Sequence, residues 1–298
     1  MKKIIDIEKY LVKPGTNVLL KDFATDYEDG KLDKAEGETL LESGRKNLAE
    51  MQDKLYAHDE YSVLIIFQAM DAAGKDSAVK HVMSGLNPTG VKVYSFKAPS
   101  SRELDHDYFW RHYEALPARG MIGIFNRSHY ENVLVTRVHP ELILRENLPA
   151  INTIDDINEE FWEKRFQQIN RFEKNIYQNG TIILKFFLHV SKKEQRKRFI
   201  ERIDNPKKNW KFSPTDANER QFWMKYQEAY QEALSNTSTK FAPWFIIPAD
   251  AKWFTRLAIA YIIYEQFEAM RLEYPKVSDD IRADLHRIKE QLLAEEDK

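Results

Sequence analysis

The stretch QAMDAAGKDS, residues 68–77, places a Gly-Lys pair and two carboxylates, Asp71 and Asp76, in one short loop. The loop follows an apolar run, VLIIF, at residues 63–67. Residues 76–84 after it carry a helical pattern. Strand, loop and helix in that order are the setting of a phosphate-binding loop. The usual spacing is G-x-x-x-x-G-K-[ST]. Gly74 and Lys75 match it, Ala69 replaces the first glycine, and Asp76 stands where a Ser or Thr is expected, with Ser77 one place late. Backbone N–H groups and the helix N-terminus would hold phosphate oxygens, and Lys75 would add a point charge. Two aspartates repel bare phosphate. They suit phosphate that arrives with Mg²⁺, which shares itself between one or two carboxylates and substrate oxygens. Asp76 has a second reading, as a helix cap or an acid in the field of the helix N-terminus. Asp71, in mid-loop, has no such alternative.

A second constellation is IGIFNRSHYENV, residues 122–133. Asn126 falls at a strand end, Arg127 follows, and Glu131 comes about one helical turn later. A strand's C-terminal end in an open α/β sheet faces the ligand crevice, and a guanidinium there suits phosphate. The other reading pairs Arg127 with a surface carboxylate. Asn126 and Glu131 join Asp71 and Asp76 as candidate metal ligands. His129 reads as a packed residue, since no second His or Cys lies at ligand spacing. Further cations recur at element edges, Lys80, Lys97, Arg111, Arg137 and Lys185, and with Ser77 they are candidates for binding the same phosphate ligand. Residues 181–211 hold ten Lys or Arg against three acids. A solvated helix face explains many of them. It does not explain Lys185, which interrupts an apolar strand.

The elements that must position these groups alternate along the chain. Apolar runs at 63–67, 91–96, 122–125, 182–190 and 244–247 read as strands buried on both faces. Helical patterns fall at 36–56, 76–84, 103–115, 128–137, 154–178, 192–202, 217–234, 253–274 and 278–298. Such alternation predicts a parallel sheet flanked by helices. Residues 1–35 read as an irregular extension. Residues 202–220, with two prolines and a basic cluster, read as a lid or an ordinary surface loop. The 298 residues fit one domain, 1–298. There is no cysteine, which excludes thiolate chemistry and cysteine metal sites. The net charge of −2 attracts neither nucleic acid nor anionic membrane as a whole. The first residues lack a signal-peptide pattern and no membrane span is evident, so a cytoplasmic protein is expected.

Taken together, AMDAAGKDS, GLNPTGVKV, FNRSHYENVLVTRV, ILKFFLHVSKKEQRKRF, NPKKNWKFS and TSTKFAPWFIIPAD resemble the polyphosphate kinase 2 family. The resemblance spans about residues 40–275. Asn126 and the run Ser128 to Glu131 resemble its class III members, which phosphorylate both AMP and ADP. It implies a three-layer αβα P-loop kinase fold, with five parallel strands and a helical lid. It implies phosphoryl transfer from inorganic polyphosphate to adenine, and secondarily guanine, nucleotides, with Mg²⁺ (Mn²⁺ as an alternative), in a homodimer or homotetramer. On this chain the implied phosphate loop is Asp71, Ala72, Ala73, Gly74, Lys75 and Asp76. Asp71, Lys75 and Arg127 would be catalytic, Asn126, Arg127 and Glu131 would meet the nucleotide, and Lys207, Lys208 and Lys211 would be lid cations. Asn126 departs from the family's more common Asp. A nucleoside-triphosphate-dependent nucleotide kinase is the rival expectation. A non-catalytic polyphosphate or nucleotide binder and a nucleic-acid binder are weaker ones.

Overall fold

The computed structural model describes residues 5–212 and 214–295. Five strands form a parallel sheet: β2 (Ser62–Ala69), β3 (Val91–Ser95), β4 (Ile122–Asn126), β5 (Thr181–His189) and β6 (Trp244–Pro248). A sixth, β1 (Leu11–Val12), pairs antiparallel with β6, giving the order β1-β6-β5-β2-β4-β3. The expected five parallel strands are present. The two-residue edge strand lies in the N-terminal stretch, residues 1–35, whose sequence reads as extended or irregular. β2 is central and every one of its residues is buried.

The helices are α1 (Lys34–His58), α2 (Lys75–Val82), α3 (Ser101–Leu104), α4 (Trp110–Glu114), α5 (Glu131–Val138), α6 (Glu159–Gln178), α7 (Lys192–Asp204), α8 (Pro214–Glu219), α9 (Trp223–Thr237), α10 (Lys252–Met270) and α11 (Asp279–Leu293). α1, α2 and α10 pack together, and α5, α6 and α9 pack together, forming layers on the sheet. α1 begins two residues before its expected start because Asp33 and Glu36 form a reciprocal capping box. The expected helix at 103–115 is instead α3 and α4, separated where Asp107 accepts the Phe109 N–H. α6 starts late because Asn158 caps it, after a short 3₁₀ turn at Ile154–Asp156. The 202–220 segment holds the end of α7, a 3₁₀ turn at Asn209–Lys211, and α8. Ser213, the end of the motif NPKKNWKFS, and the last three residues lie outside the described residues.

Lys185 is the largest departure from expectation. It sits within β5 with no exposed surface, and its ammonium donates to Glu173 Oε2 (2.6 Å), the Tyr130 hydroxyl (2.8 Å) and the Thr237 carbonyl (2.8 Å). It is therefore no phosphate ligand. Its strand position turns it into the layer formed by α5, α6 and α9, where Glu173 of α6 meets it. Burial pulls its pKa down to about 8, against the pull of Glu173. Removing one member of such a pair leaves an uncompensated charge in the core. Lys185→Met should lower stability by about 3–5 kcal/mol in denaturant unfolding, and adding Glu173→Leu should recover much of that loss.

Candidate active site

β2 delivers the loop at its C-terminal end. Ala72 has φ +58° and Gly74 φ +109°. The first is strained for a residue with a Cβ and the second is glycine's own region. The turn closes with the Ala73 N–H on the Met70 carbonyl at 3.2 Å. Gly74 is the N-cap of α2, so Lys75 and Asp76 stand in its first turn. Asp76 is thus not the cap. Its carboxylate accepts from Asn126 Nδ2 at 2.7 Å. Lys75 folds back, its ammonium donating to the Ala69 carbonyl at 2.9 Å. Burial lowers the Lys75 pKa, and Asp71 opposes that shift.

The second constellation lands beside the first because β4 pairs with β2 in register, Asn126 opposite Phe67. Arg127 adopts φ +64° and its N–H reaches the Phe67 carbonyl at 3.2 Å. That left-handed residue and the Ser128 hydroxyl, which accepts the Tyr130 N–H, form a turn. It delays the helix expected from residue 128 until Glu131. Arg127 Nη2 lies 3.3 Å from Asp71 Oδ1, both side chains part-exposed, so solvent screens the pair. Burial raises the Glu131 carboxyl pKa, opposed by Arg127, Lys75 and a Gln68 hydrogen bond. Asp71, Arg127 and Glu131 line one cavity of about 380 Å³ with Gln195, Arg220 and Tyr226.

The other expected residues divide. Ala72, Ala73 and Ser77 belong to the loop and α2, where Arg256 donates to the Ser77 hydroxyl at 2.9 Å. Lys80 is exposed on the same helix, and Lys97 is exposed beyond β3. Arg111 donates to the Lys97 carbonyl at 2.9 Å and lines a separate cavity with Phe96 and Trp110. Arg137 is held by Glu159 and Glu232, each at 3.0 Å. Lys207 and Lys208 are exposed before α8. The Lys211 side chain lies outside what is described.

Four contributors escaped sequence reasoning. Arg198, 6% exposed, donates Nη1 to the carbonyls of Ala72 (3.1 Å) and Ala73 (2.7 Å). Its Nη2 donates to Ala249 (2.6 Å) and Asp250 (3.0 Å), and its Nε to Glu194 Oε1 (2.9 Å). Gln195 Nε2 donates to the Asp71 carbonyl (2.9 Å), and Arg220 donates to the Gln195 side-chain oxygen (2.6 Å). Glu219 accepts from the Tyr226 hydroxyl at 2.8 Å and sits 3.1 Å from His139. The spacing of Gln195, Arg198 and Phe199 on one helix face was the available signal, since it marks a buried stripe inside a charged run.

The geometry can bind a polyanion at a cationic turn with carboxylates in reach. The polyphosphate kinase 2 family model matches residues 31–275. The chain belongs to the polyphosphate kinase 2 family. It is 45% identical to an ADP-polyphosphate phosphotransferase of Rhodopseudomonas palustris, over 97% of this chain and 99% of that one. It is 42% identical to an AMP/ADP-polyphosphate phosphotransferase of Meiothermus ruber, over 91% and 96% of the two chains. The crystal structure of polyphosphate kinase 2 from Arthrobacter aurescens TC1 superposes with a TM-score of 0.84 at 37% identity, covering 93% of this chain and 95% of that one. The family's three-layer kinase fold and the phosphotransferase class follow for this chain.

Two outcomes test this geometry. Arg198→Met should lower stability by at least about 2 kcal/mol and reduce turnover, because four carbonyls lose a charged donor. Arg198→Lys should not rescue either, since one ammonium lacks the fork that spans both loops. The acid limb of kcat/KM should fall at a higher pH than the ~4.3 of an ordinary glutamate, and Glu131→Gln should remove that displacement. The sign is opposite for stability. The folded state binds this proton more tightly, so falling pH stabilises the fold through Glu131 while it removes the charge.

Proposed function

We propose that this chain transfers the terminal phosphoryl group of inorganic polyphosphate to AMP and to ADP, reversibly. The observation that carries the reading is the meeting of Asp71, Lys75, Arg127 and Glu131 at the adjoining ends of β2 and β4, in a chain matched by the family over residues 31–275. The names of the relatives from R. palustris and M. ruber support the donor and both acceptors.

Phosphoryl transfer asks a protein mainly for position and charge. The loop amides and the α2 N-terminus hold phosphate oxygens, and the Lys75 ammonium turns from the Ala69 carbonyl to the transferring group. Arg127 leaves Asp71 and neutralises equatorial oxygens. Tyr226, Arg220 and Gln195 wall the cavity against water. The acceptor is a nucleotide phosphate, already ionised near neutral pH, so no strong general base is needed.

The carboxylates fit Mg²⁺. Among the described residues no group of three or more His, Asp or Glu is arranged as a closed metal cage. Asp71 and Glu131 in one cavity, with the Asp76–Asn126 pair beside them, match a cation that keeps one or two protein carboxylates and takes its other oxygens from substrate and water. When bound, the ion offsets charge on the phosphates; Mn²⁺ satisfies the same donors. The same reading includes guanine nucleotides as secondary acceptors, a homodimeric or homotetrameric assembly, a cytoplasmic setting, and neither nucleic acid nor membrane as target. No helix among the described residues is long and apolar enough to cross a membrane.

The test mixes purified protein with long-chain polyphosphate, Mg²⁺ and AMP, without nucleoside triphosphate. ADP and ATP should both appear on chromatography, and chelation should stop the reaction. Asp71→Asn should lower kcat by about 10²-fold or more with the fold retained. Product only after a triphosphate is added would favour the nucleotide-kinase reading instead, and unchanged kcat in Asp71→Asn would remove that residue from the mechanism.

A further inference from the structure

Helix α11 lies outside the catalytic fold. The family match ends at residue 275, and the helix begins at Asp279. It is well started, since the Ser278 side chain accepts the Ile281 N–H and two acids fill its first turn. The connection is tied to α1, where the Tyr274 hydroxyl donates to Asp53 at 2.6 Å and the Glu273 carbonyl lies 3.3 Å from His58 Nδ1. Yet the helix buries no residue. Ile281, Leu285, Ile288 and Leu292 are 54, 54, 44 and 60% exposed. They fall at steps of 4, 3 and 4 along the chain, the seam of a coiled coil. The remaining positions are mostly charged or polar, so the apolar surface is one stripe. A lone helix of this length is marginal in water. Its stripe needs a partner.

We infer that this stripe is a self-association surface, on which α11 of one copy packs parallel and in register against α11 of another. In the heptad, Leu285 and Leu292 take position a and Ile281 and Ile288 position d. The flanking positions decide orientation. Asp284 is at g and Lys289 at the following e, opposite in charge and five residues apart. Parallel copies therefore place Asp284 of each against Lys289 of the next. Both charged e positions, Arg282 and Lys289, are basic, so antiparallel copies would set cation against cation. Asp284 holds Arg287 at 3.1 Å within its own helix, both largely exposed, so it is able to change partner at little cost. Leu at a with Ile at d favours three or four strands over two. This reading of the surface stands independently of the chemistry proposed for the crevice.

The chain has no cysteine, so one introduced thiol reports without background. In the full chain, Leu292→Cys on the seam should form a disulfide-linked pair under oxidised glutathione, while Ala283→Cys on the outer face should not. Sedimentation should show the unaltered chain as an oligomer. Leu285→Asp together with Ile288→Asp should at least halve its mass, with turnover per chain unchanged. Asp284→Lys alone should weaken the assembly, and Asp284→Lys with Lys289→Asp should restore it. An unaltered chain that sediments as a single copy overturns the inference, and so does equal cross-linking at 292 and 283. A mass that ignores the two aspartates also overturns it, and places assembly on a different face.

Discussion

A guanidinium has five N–H donors and no acceptor, and in this protein one of them decides the shape of the phosphate loop. Arg198 collects the carbonyls of Ala72 and Ala73 on one side and those of Ala249 and Asp250 on the other. Peptide units are planar and trans, so a carbonyl and the following N–H point in opposite directions. Drawing the Ala73 carbonyl toward Arg198 turns the Gly74 N–H away from it. The loop is thereby polarised, its oxygens gathered by a cation and an amide left for an anion. The left-handed φ at Ala72 persists because these bonds over-determine it. The same side chain ties the end of β2 to the end of β6, and β5 lies between those two strands. One buried charge thus fixes the loop to the sheet and to the start of α10.

With the loop set, the crevice is an arrangement of opposed charges held partly out of water. Burial pushes Lys75 down and Glu131 up, each toward its neutral form. Each is restrained by the other, Lys75 also by Asp71 and Glu131 also by Arg127. A site of this kind gains from a ligand that brings both signs. Bare polyanion would answer Lys75 and Arg127 and leave Asp71 and Glu131 repelled. A polyanion carrying a divalent cation answers all four. On the proposed function, that is why a phosphate loop contains acids, and why Asn126 suffices at the strand end. Its amide steers Asp76 at 2.7 Å and adds no further negative charge.

Much of this was legible in the residues. Five strands, the loop and the meeting of Asp71 with Arg127 followed from local pattern and from the rule that strand ends face the ligand. What was not legible depended on contacts distant in sequence. Lys185 and Arg198 looked alike as cations in a basic stretch, and both are buried structural cations. Lys185 was read as a ligand residue because it broke an apolar strand, and its partner Glu173 belongs to the preceding helix. Arg198 was only one of ten cations counted in that stretch, and most of its acceptors are backbone carbonyls, which no side-chain pattern announces. β1 escaped because a two-residue strand has no period to detect, and it exists only because β6 offers an edge. The partners of Arg137 were not legible either, since Glu159 and Glu232 come from α6 and α9.

The buried ion pair and the exposed site are parts of one arrangement. Tyr130 lies between Arg127 and Glu131 in the chain, and its hydroxyl donates to Glu173 at 2.8 Å while accepting from Lys185. Its ring meets Trp244 of β6 edge-on at 4.8 Å. An apolar residue in place of Tyr130 could slide against such a wall, because dispersion contacts have little direction. A hydroxyl bonded to two charged groups in the core has one position. That position fixes the turn whose two ends carry the Arg127 guanidinium and the Glu131 carboxylate. A buried ion pair is a poor source of stability compared with hydrophobic packing. Here the cost of desolvating Lys185 and Glu173 is matched to a requirement for registry: two side chains of the candidate site on a turn with a left-handed residue, held from beneath by a buried ion pair.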